Sequence, residues 1–109
     1  MRKQRIRITL KNRTLKEIDM SDFSVIPADM FAYRNDIYAI ELPEGVTIIK
    51  RSAFEGCTSL RKVVLPKSVE RIEEEAFYNC YSLAEINIPG CTKVHQTAFY
   101  NCEHLKKIS

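Results

Sequence analysis

Hydrophobic positions recur along this chain with a period of 22 or 23 residues. The most regular column consists of four phenylalanines, at intervals of 23, 23 and 22 residues: Phe31, Phe54, Phe77 and Phe99. Four further columns keep the same phase: Ile37, Leu60, Leu83, Leu105; Ile18, Ile40, Val63, Ile86, Ile108; Pro43, Pro66, Pro89; and Cys57, Cys80, Cys102. Such a period is typical of stacked repeats, in which each unit buries the apolar side of its neighbour. The pattern predicts one domain with about four and a half repeats over residues 15–109.

The repeat at residues 60–83 predicts the elements of one unit. Alternating polarity over residues 60–66 predicts a short strand with Val63 and Leu65 inward, and proline ends it because proline has no amide hydrogen to donate. We expect a single helical turn at residues 76–79, on the opposite wall. Glycine and asparagine accept the left-handed conformation that ends such a turn, and they share the column that follows it: Gly56, Asn79 and Asn101.

The first 14 residues predict a cap for the repeat stack. Residues 5–10 alternate between charged and apolar side chains, which predicts a strand with one wet face. Ile6, Ile8 and Leu10 are expected to cover the first rung, and residues 11–14 to form a turn into an antiparallel partner strand. A secretory signal needs an uninterrupted apolar stretch of about 7 residues, which is absent here. We therefore expect either a cytoplasmic protein or a piece of a longer exported chain.

The repeat unit resembles a known family. Read from Leu60, it is Leu-x-x-Val-x-Leu-Pro-x-x-Val-x-x-Ile-x-x-x-Ala-Phe-x-x-Cys, which is similar to the BspA-type leucine-rich repeats of bacterial and protist proteins. The resemblance implies a short, right-handed, α/β to mainly β solenoid with a parallel sheet on its concave side. It also implies a non-enzymatic binding role, often at cell surfaces and toward host proteins. The first repeat departs from the pattern, with Met30 in the alanine column and Arg34 in the cysteine column.

Composition narrows the candidate chemistry. The chain has 109 residues, of which 45% are hydrophobic and 28% are charged, as in an ordinary globular domain. No apolar stretch approaches the roughly 20 residues of a membrane span. With 3 glycines, 2 histidines and no tryptophan, the chain has little material for phosphate loops, metal sites or catalytic triads. We predict no enzyme activity, no cofactor and no metal.

Positive charge is concentrated at the N-terminus. Seven basic residues precede the first acidic residue, Glu17, so the net charge of +3 leaves −4 for the remainder. One interpretation is a basic arm for nucleic acid or another anion, which would make this a small nucleic-acid-associated or inhibitory protein. The other is protection of an edge strand against aggregation. No aromatic residue interleaves the segment, which disfavours single-strand binding. The candidate anion contacts are Arg2, Lys3, Arg5 and Arg7.

The leading hypothesis is a protein-interaction module, with two candidate surfaces. Outward strand positions form a mixed, mildly acidic face in two columns: Glu17, Ala39, Lys62, Glu85, Lys107 and Asp19, Glu41, Val64, Asn87, Ser109. On the other wall, Tyr78 and Tyr100 share a column near Tyr81 and either bind a partner or cover the phenylalanines. The candidate protein-binding residues are Tyr78, Tyr81, Tyr100, Glu17, Asp19, Glu41, Lys62, Glu85 and Asn87.

The cysteine column and the last rung carry two further expectations. Cys57, Cys80 and Cys102 lie one repeat apart, so they predict a buried, reduced ladder rather than the closely spaced pairs of a zinc site. Cys91 lies outside the ladder and is expected to be the most reactive thiol. Residues 105–109 stop inside a strand, which predicts either self-association through this open edge or a chain trimmed from a longer protein.

Overall fold

Ten short β-strands and their connecting turns build the chain in a computed structural model that describes residues 4–20 and 24–108. Six strands form the larger sheet: β1 (Arg5–Leu10), β2 (Leu15–Asp19), β4 (Ile37–Glu41), β6 (Lys62–Val64), β8 (Glu85–Ile86) and β10 (Lys107–Ile108). Four form the smaller sheet: β3 (Val25–Ile26), β5 (Ile48–Ile49), β7 (Arg71–Ile72) and β9 (Lys93–Val94). The strand orders are β10-β8-β6-β4-β1-β2 and β3-β5-β7-β9.

Repeat columns and strand register coincide in the larger sheet. Strands β4, β6, β8 and β10 are parallel, and one register row joins Ala39, Lys62, Glu85 and Lys107. The next row along these strands consists of Ile40, Val63, Ile86 and Ile108. The first three side chains are buried in the core, and Ile108 on the last rung is 60% exposed. The structure is a solenoid of about four turns, which confirms the predicted leucine-rich-repeat arc and its parallel sheet.

The phenylalanine column runs through the centre of the solenoid. The rings of Phe31, Phe54 and Phe77 are fully buried, and Phe99 on the last rung is half-buried. Successive ring centroids lie 5.2, 5.0 and 5.2 Å apart, with interplanar angles of 11°, 2° and 2°. These distances are close to the spacing of neighbouring strands, about 4.8 Å, so each ring packs on the ring of the next rung.

The wall behind the phenylalanines consists of turns, and the predicted helical turn at residues 76–79 is wrong. The Phe77 amide donates to the Ala98 carbonyl of the next rung at 2.8 Å, and the Asn79 amide donates to the Tyr100 carbonyl at 2.9 Å. Amides used between rungs cannot donate four residues back within one. Positive φ angles at Glu75 (57°) and Asn79 (61°) also interrupt any helix at four-residue intervals. The described residues include no helix that could cross a membrane.

The N-terminal hairpin forms as predicted but takes an unexpected place in the sheet. Strands β1 and β2 are antiparallel, with Ile6 and Ile8 buried against the first rung. However, β1 lies between β2 and β4, with Ile8 opposite Ile40. The repeat phase had placed Ile18 beside Ile40. That placement is wrong because β1, being longer and apolar on one face, covers the open edge of β4 and leaves β2 outside.

The smaller sheet was not predicted. Its outward column consists of half-buried Val25 and Ile48, followed by exposed Arg71 and Lys93. Each strand has only two residues, which is too short to show alternation in the sequence. This sheet connects the larger sheet to the turn wall and completes each rung.

The last rung is the least covered part of the core. Val94 is 39% exposed and Ile108 is 60% exposed, while their equivalents on inner rungs are buried. Self-association through this rung stays a prediction.

Candidate functional site

Four tyrosines are exposed or half-buried on the turn wall, and we call them the tyrosine face: Tyr33, Tyr78, Tyr81 and Tyr100. The ring of Tyr100 meets that of Tyr78 edge-on, with centroids 5.5 Å apart. Tyr100 is 60% exposed and Tyr81 is 40% exposed, whereas Tyr78 is half-buried. The structure therefore brings the three predicted tyrosines to one wall, where Tyr78 covers the core and Tyr100 faces solvent.

Tyr33 belongs to this face and was missed by the sequence analysis. Its side chain is 69% exposed, and its ring lies over Gly56, whose missing Cβ would come 2.5 Å from the Tyr33 Cδ1 atom. The Tyr33 hydroxyl donates a hydrogen bond of 2.5 Å to Glu55, and this hydrogen bond with the carboxylate raises the pKa of Tyr33. Tyr33 shares the column of Gly56 and Asn79, which is the signal that could have located it.

The outer face of the larger sheet differs in charge from the prediction. Because β1 lies between β2 and β4, Arg7 is opposite both Glu17 and Glu41. Arg5 joins the same face, so its charged residues are four acids and four cations: Glu17, Asp19, Glu41, Glu85, Arg5, Arg7, Lys62 and Lys107. The predicted mildly acidic face is therefore wrong: the charges of the face balance, and they alternate in sign along the row Lys62, Glu85, Lys107.

The arginines of the N-terminal segment are used within the hairpin. Arg5 Nη1 lies 2.7 Å from Glu17 Oε1, and Arg7 Nε lies 3.7 Å from Glu17 Oε2. Two of the candidate anion contacts thus have an acidic partner one strand away. The other two, Arg2 and Lys3, lie outside the described residues.

Asn87 is committed to the fold. Its Nδ2 donates to the Leu65 carbonyl at 2.9 Å, and its Oδ1 accepts from the Leu65 amide at 2.8 Å. The side-chain amide replaces a strand neighbour where β8 has already ended. This arrangement leaves Asn87 little capacity for a partner.

Shallow depressions on the outer face do not assemble a reactive group. One of them, about 410 Å³, includes Arg5, Arg7, Glu41 and Pro66 in its lining. Among residues 4–20 and 24–108, no three metal-binding side chains come together.

Comparison with known proteins decides the family. The sequence profile described as the BspA type leucine rich repeat region matches residues 24–109 in six copies. The chain belongs to the BspA-type leucine-rich repeat family. A search of curated proteins found no match.

A solved structure supports the fold. The chain is similar to the crystal structure of a leucine rich cell surface protein from Faecalibacterium prausnitzii A2-165, with a TM-score of 0.60 and 23% identity. The match covers 79% of this chain and 29% of the other, so this BspA-type chain spans less than a third of that protein.

The cysteine side chains of the BspA-type repeat are hydrogen-bonded to backbone carbonyls. Each thiol donates a hydrogen bond of 3.1 Å to the carbonyl of the phenylalanine one rung earlier: Cys57 to Phe31, Cys80 to Phe54 and Cys102 to Phe77. Burial raises the pKa of Cys57 and Cys102 to about 11 each, and raises that of Cys80 further. Cys91, in contrast, is exposed.

Thiol labelling of the BspA-type chain should therefore follow burial. At pH 8 the native protein is expected to react first at Cys91 and last at Cys80, because the thiolate is the reactive form and the buried thiols stay protonated. Reaction of the ladder should accelerate as the pH rises toward 11, first at Cys57 and Cys102. Mass spectrometry of peptides after timed alkylation measures this order. Equal labelling of Cys80 and Cys91 under native conditions would contradict it.

Proposed function

We propose that this BspA-type chain is a non-enzymatic protein-interaction module that binds its partner through the tyrosine face. The observation that carries the proposal is the position of Tyr81 and Tyr100, which are exposed while their carbonyls are hydrogen-bonded to neighbouring rungs, Tyr81 to the His104 ring and Tyr100 to the Asn79 amide. Tyrosine supplies a large contact area with few rotatable bonds and is enriched at protein interfaces. A rigid wall of turns reduces the entropy lost on binding.

The charge pattern of the outer face supports the tyrosine face over the larger sheet. The acidic and basic residues of the larger sheet's outer face balance in number. Glu17 already forms ion pairs with Arg5 and Arg7, and the Asn87 side chain is already hydrogen-bonded to the Leu65 backbone. Exposed ion pairs contribute little free energy, generally below about 1 kcal/mol. The same pairs disfavour a role in nucleic-acid binding for Arg5 and Arg7.

The side chains of the described residues support a non-enzymatic role. The described residues hold no cluster of three metal-ligating side chains, and burial raises the pKa of the three ladder thiols, which weakens them as nucleophiles. The solved neighbour is a cell surface protein. Its location supports a surface-exposed partner, such as a host or surface protein, for this chain.

Site-specific cross-linking tests the surface. A photoreactive phenylalanine derivative at position 100 is expected to capture a defined protein from the native habitat of the chain, while the same group at position 62 on the larger sheet captures none. The captured protein is then purified for binding measurements. Capture at position 62 alone would move the site to the larger sheet and overturn the proposal.

Matched tyrosine variants measure the contribution of the face. Tyr81→Ser combined with Tyr100→Ser is expected to weaken binding of the purified partner at least about tenfold, since truncated interface tyrosines cost on the order of 2 kcal/mol. Tyr38→Ser is the control, because Tyr38 is 39% exposed, as Tyr81 is 40% exposed, but lies on β4. Equal binding by all three proteins would count against the tyrosine face.

A further inference from the structure

A depression at the entrance to three strands of the larger sheet is lined by basic residues. Its volume is about 230 Å³, and its lining consists of Arg61, Ser82, Ala84, His104 and Lys106. Arg61, Ala84 and Lys106 are equivalent positions of three successive repeats, each directly preceding β6, β8 or β10. The depression contains no acidic residue in its lining.

The backbone fixes the spacing of the two cationic residues. The Ala84 amide donates to the Arg61 carbonyl at 2.9 Å, and the Lys106 amide donates to the Ala84 carbonyl at 3.0 Å. Neighbouring strands are about 4.8 Å apart, so Arg61 and Lys106 start about 10 Å apart with a small residue between them. The alanine side chain leaves the middle of the column open.

Neither cation is neutralised by the protein. Within residues 4–20 and 24–108, the ion pairs involve other arginines, and Arg61 and Lys106 have no acidic partner. Both are exposed. The half-buried Ser82 hydroxyl has no hydrogen-bond partner within the same described residues.

His104 is oriented beside these groups. Its Nδ1 lies 2.6 Å from the Tyr81 carbonyl oxygen, and a carbonyl only accepts, so Nδ1 carries the hydrogen. In the neutral ring the second nitrogen, Nε2, is then an acceptor, so it can accept from a protonated phosphate oxygen and donates to an anion only as imidazolium.

We propose that this depression binds a phosphate or sulfate group, either free or as an ester. A tetrahedral oxyanion presents acceptor oxygens in several directions, so it can accept from Arg61 on one side, from Lys106 on the other and from the Ser82 hydroxyl. Charge-assisted hydrogen bonds of this kind are stronger than neutral ones. The site borders the tyrosine face, because His104 bonds the Tyr81 carbonyl, but the proposal does not depend on the proposed function.

Titration of the isotope-labelled chain with sodium phosphate and sodium sulfate, at ionic strength matched with chloride, tests the proposal. The amide resonances of Ser82, Ala84 and Lys106 are expected to shift and saturate with either anion, while chloride alone produces no saturating shift. Methyl phosphate and methyl sulfate form two further arms. Saturation by the esters assigns the site to a group carried on a larger molecule, and saturation by the inorganic ions alone assigns it to the free anion. No saturating shift at these amides with any of the four anions overturns the proposal.

Two sets of variants locate the binding. Arg61→Gln and Lys106→Gln should each weaken anion binding about three- to fivefold, as expected for exposed charge pairs, whereas Arg51→Gln on the turn wall should leave it unchanged. Ala84→Glu should abolish saturation, because it places a carboxylate between the cations, and Ala84→Gln controls for side-chain size. Unchanged affinity in both Arg61→Gln and Ala84→Glu overturns the site.

Discussion

Phe77→Ala is expected to lower the free energy of unfolding by about 3–5 kcal/mol. Phe77 is fully buried and packs between two rings, with centroids 5.0 Å from Phe54 and 5.2 Å from Phe99. Removing the ring interrupts the column in the middle, and rungs held by inter-rung hydrogen bonds cannot close the cavity. Because stabilities of small domains are about 5–15 kcal/mol, the variant loses much of its margin. Urea denaturation followed by circular dichroism measures the change.

Phe99→Ala is the matched control for that experiment. Phe99 belongs to the same column but is half-buried on the last rung, with one ring neighbour, Phe77. Its truncation should therefore cost clearly less than that of Phe77. Equal costs for the two substitutions, or a Phe77→Ala protein that unfolds at the same urea concentration as the parent, would refute the column as the centre of the core.

Gly56→Ala is expected to cost about 2–5 kcal/mol of unfolding free energy. Gly56 has a φ of 72°, a left-handed conformation that costs a residue with a Cβ about 1–2 kcal/mol. The new methyl group would also lie 2.5 Å from Cδ1 and 2.8 Å from Cε1 of Tyr33, so the ring has to move. Forced repacking of this kind adds about 1–3 kcal/mol. Thermal and urea unfolding both report the loss.

A double substitution separates the two contributions at Gly56. In a Tyr33→Ala background the methyl group meets no ring, so Gly56→Ala should cost only the left-handed part. Asn79→Ala, in the same column with a φ of 61°, should cost less in backbone conformation, because asparagine itself has a Cβ, but also loses the hydrogen bond that Asn79 Oδ1 accepts from Asn101 Nδ2 at 2.9 Å. If Tyr33→Ala leaves the cost of Gly56→Ala unchanged, the close approach of the ring does not contribute.

The repeat architecture was predictable because its signal is redundant. Phenylalanine, leucine and cysteine recur in phase, and each recurrence fixes the same rung position, so errors at one repeat are corrected by the others. The inward position of Val63 and the outward position of Lys62 followed from alternation, and both are found. The degenerate first repeat still aligned through Phe31.

The position of the N-terminal hairpin was not predictable from the repeat phase. Ile18 keeps the phase of Ile40, and the alternation at residues 5–10 predicts that Ile8 covers the first rung, but nothing in the sequence decides which of the two strands pairs with β4. Strand pairing in the folded protein decides which strand lies beside β4, and in the arrangement found Arg7 is opposite both Glu17 and Glu41. The charge of the outer face depended on that choice, so it was wrong as well.

The turn wall and the smaller sheet were missed for a different reason. Their order comes from hydrogen bonds between rungs, such as Phe54 to Ala76, which leave no local pattern. Residues 76–79 have the composition of a helical turn, but the amides of Phe77 and Asn79 donate to carbonyls one repeat away. Arg34, in the position where later rungs have a thiol, instead makes a local contact: its guanidinium hydrogen bonds lower the pKa of Asp36, two residues along the chain.

The hydrogen bonds from rung to rung also determine how the chain folds. Pairs such as Leu42 with Val64 and Cys80 with Phe54 join residues 22 and 26 positions apart. Sequence separation between contacting residues is therefore set by the length of one repeat and does not increase with the number of repeats. Folding rates fall as relative contact order rises. Each additional rung lowers that ratio, so a longer array of the same repeats nucleates at the same entropic cost and then propagates one repeat at a time.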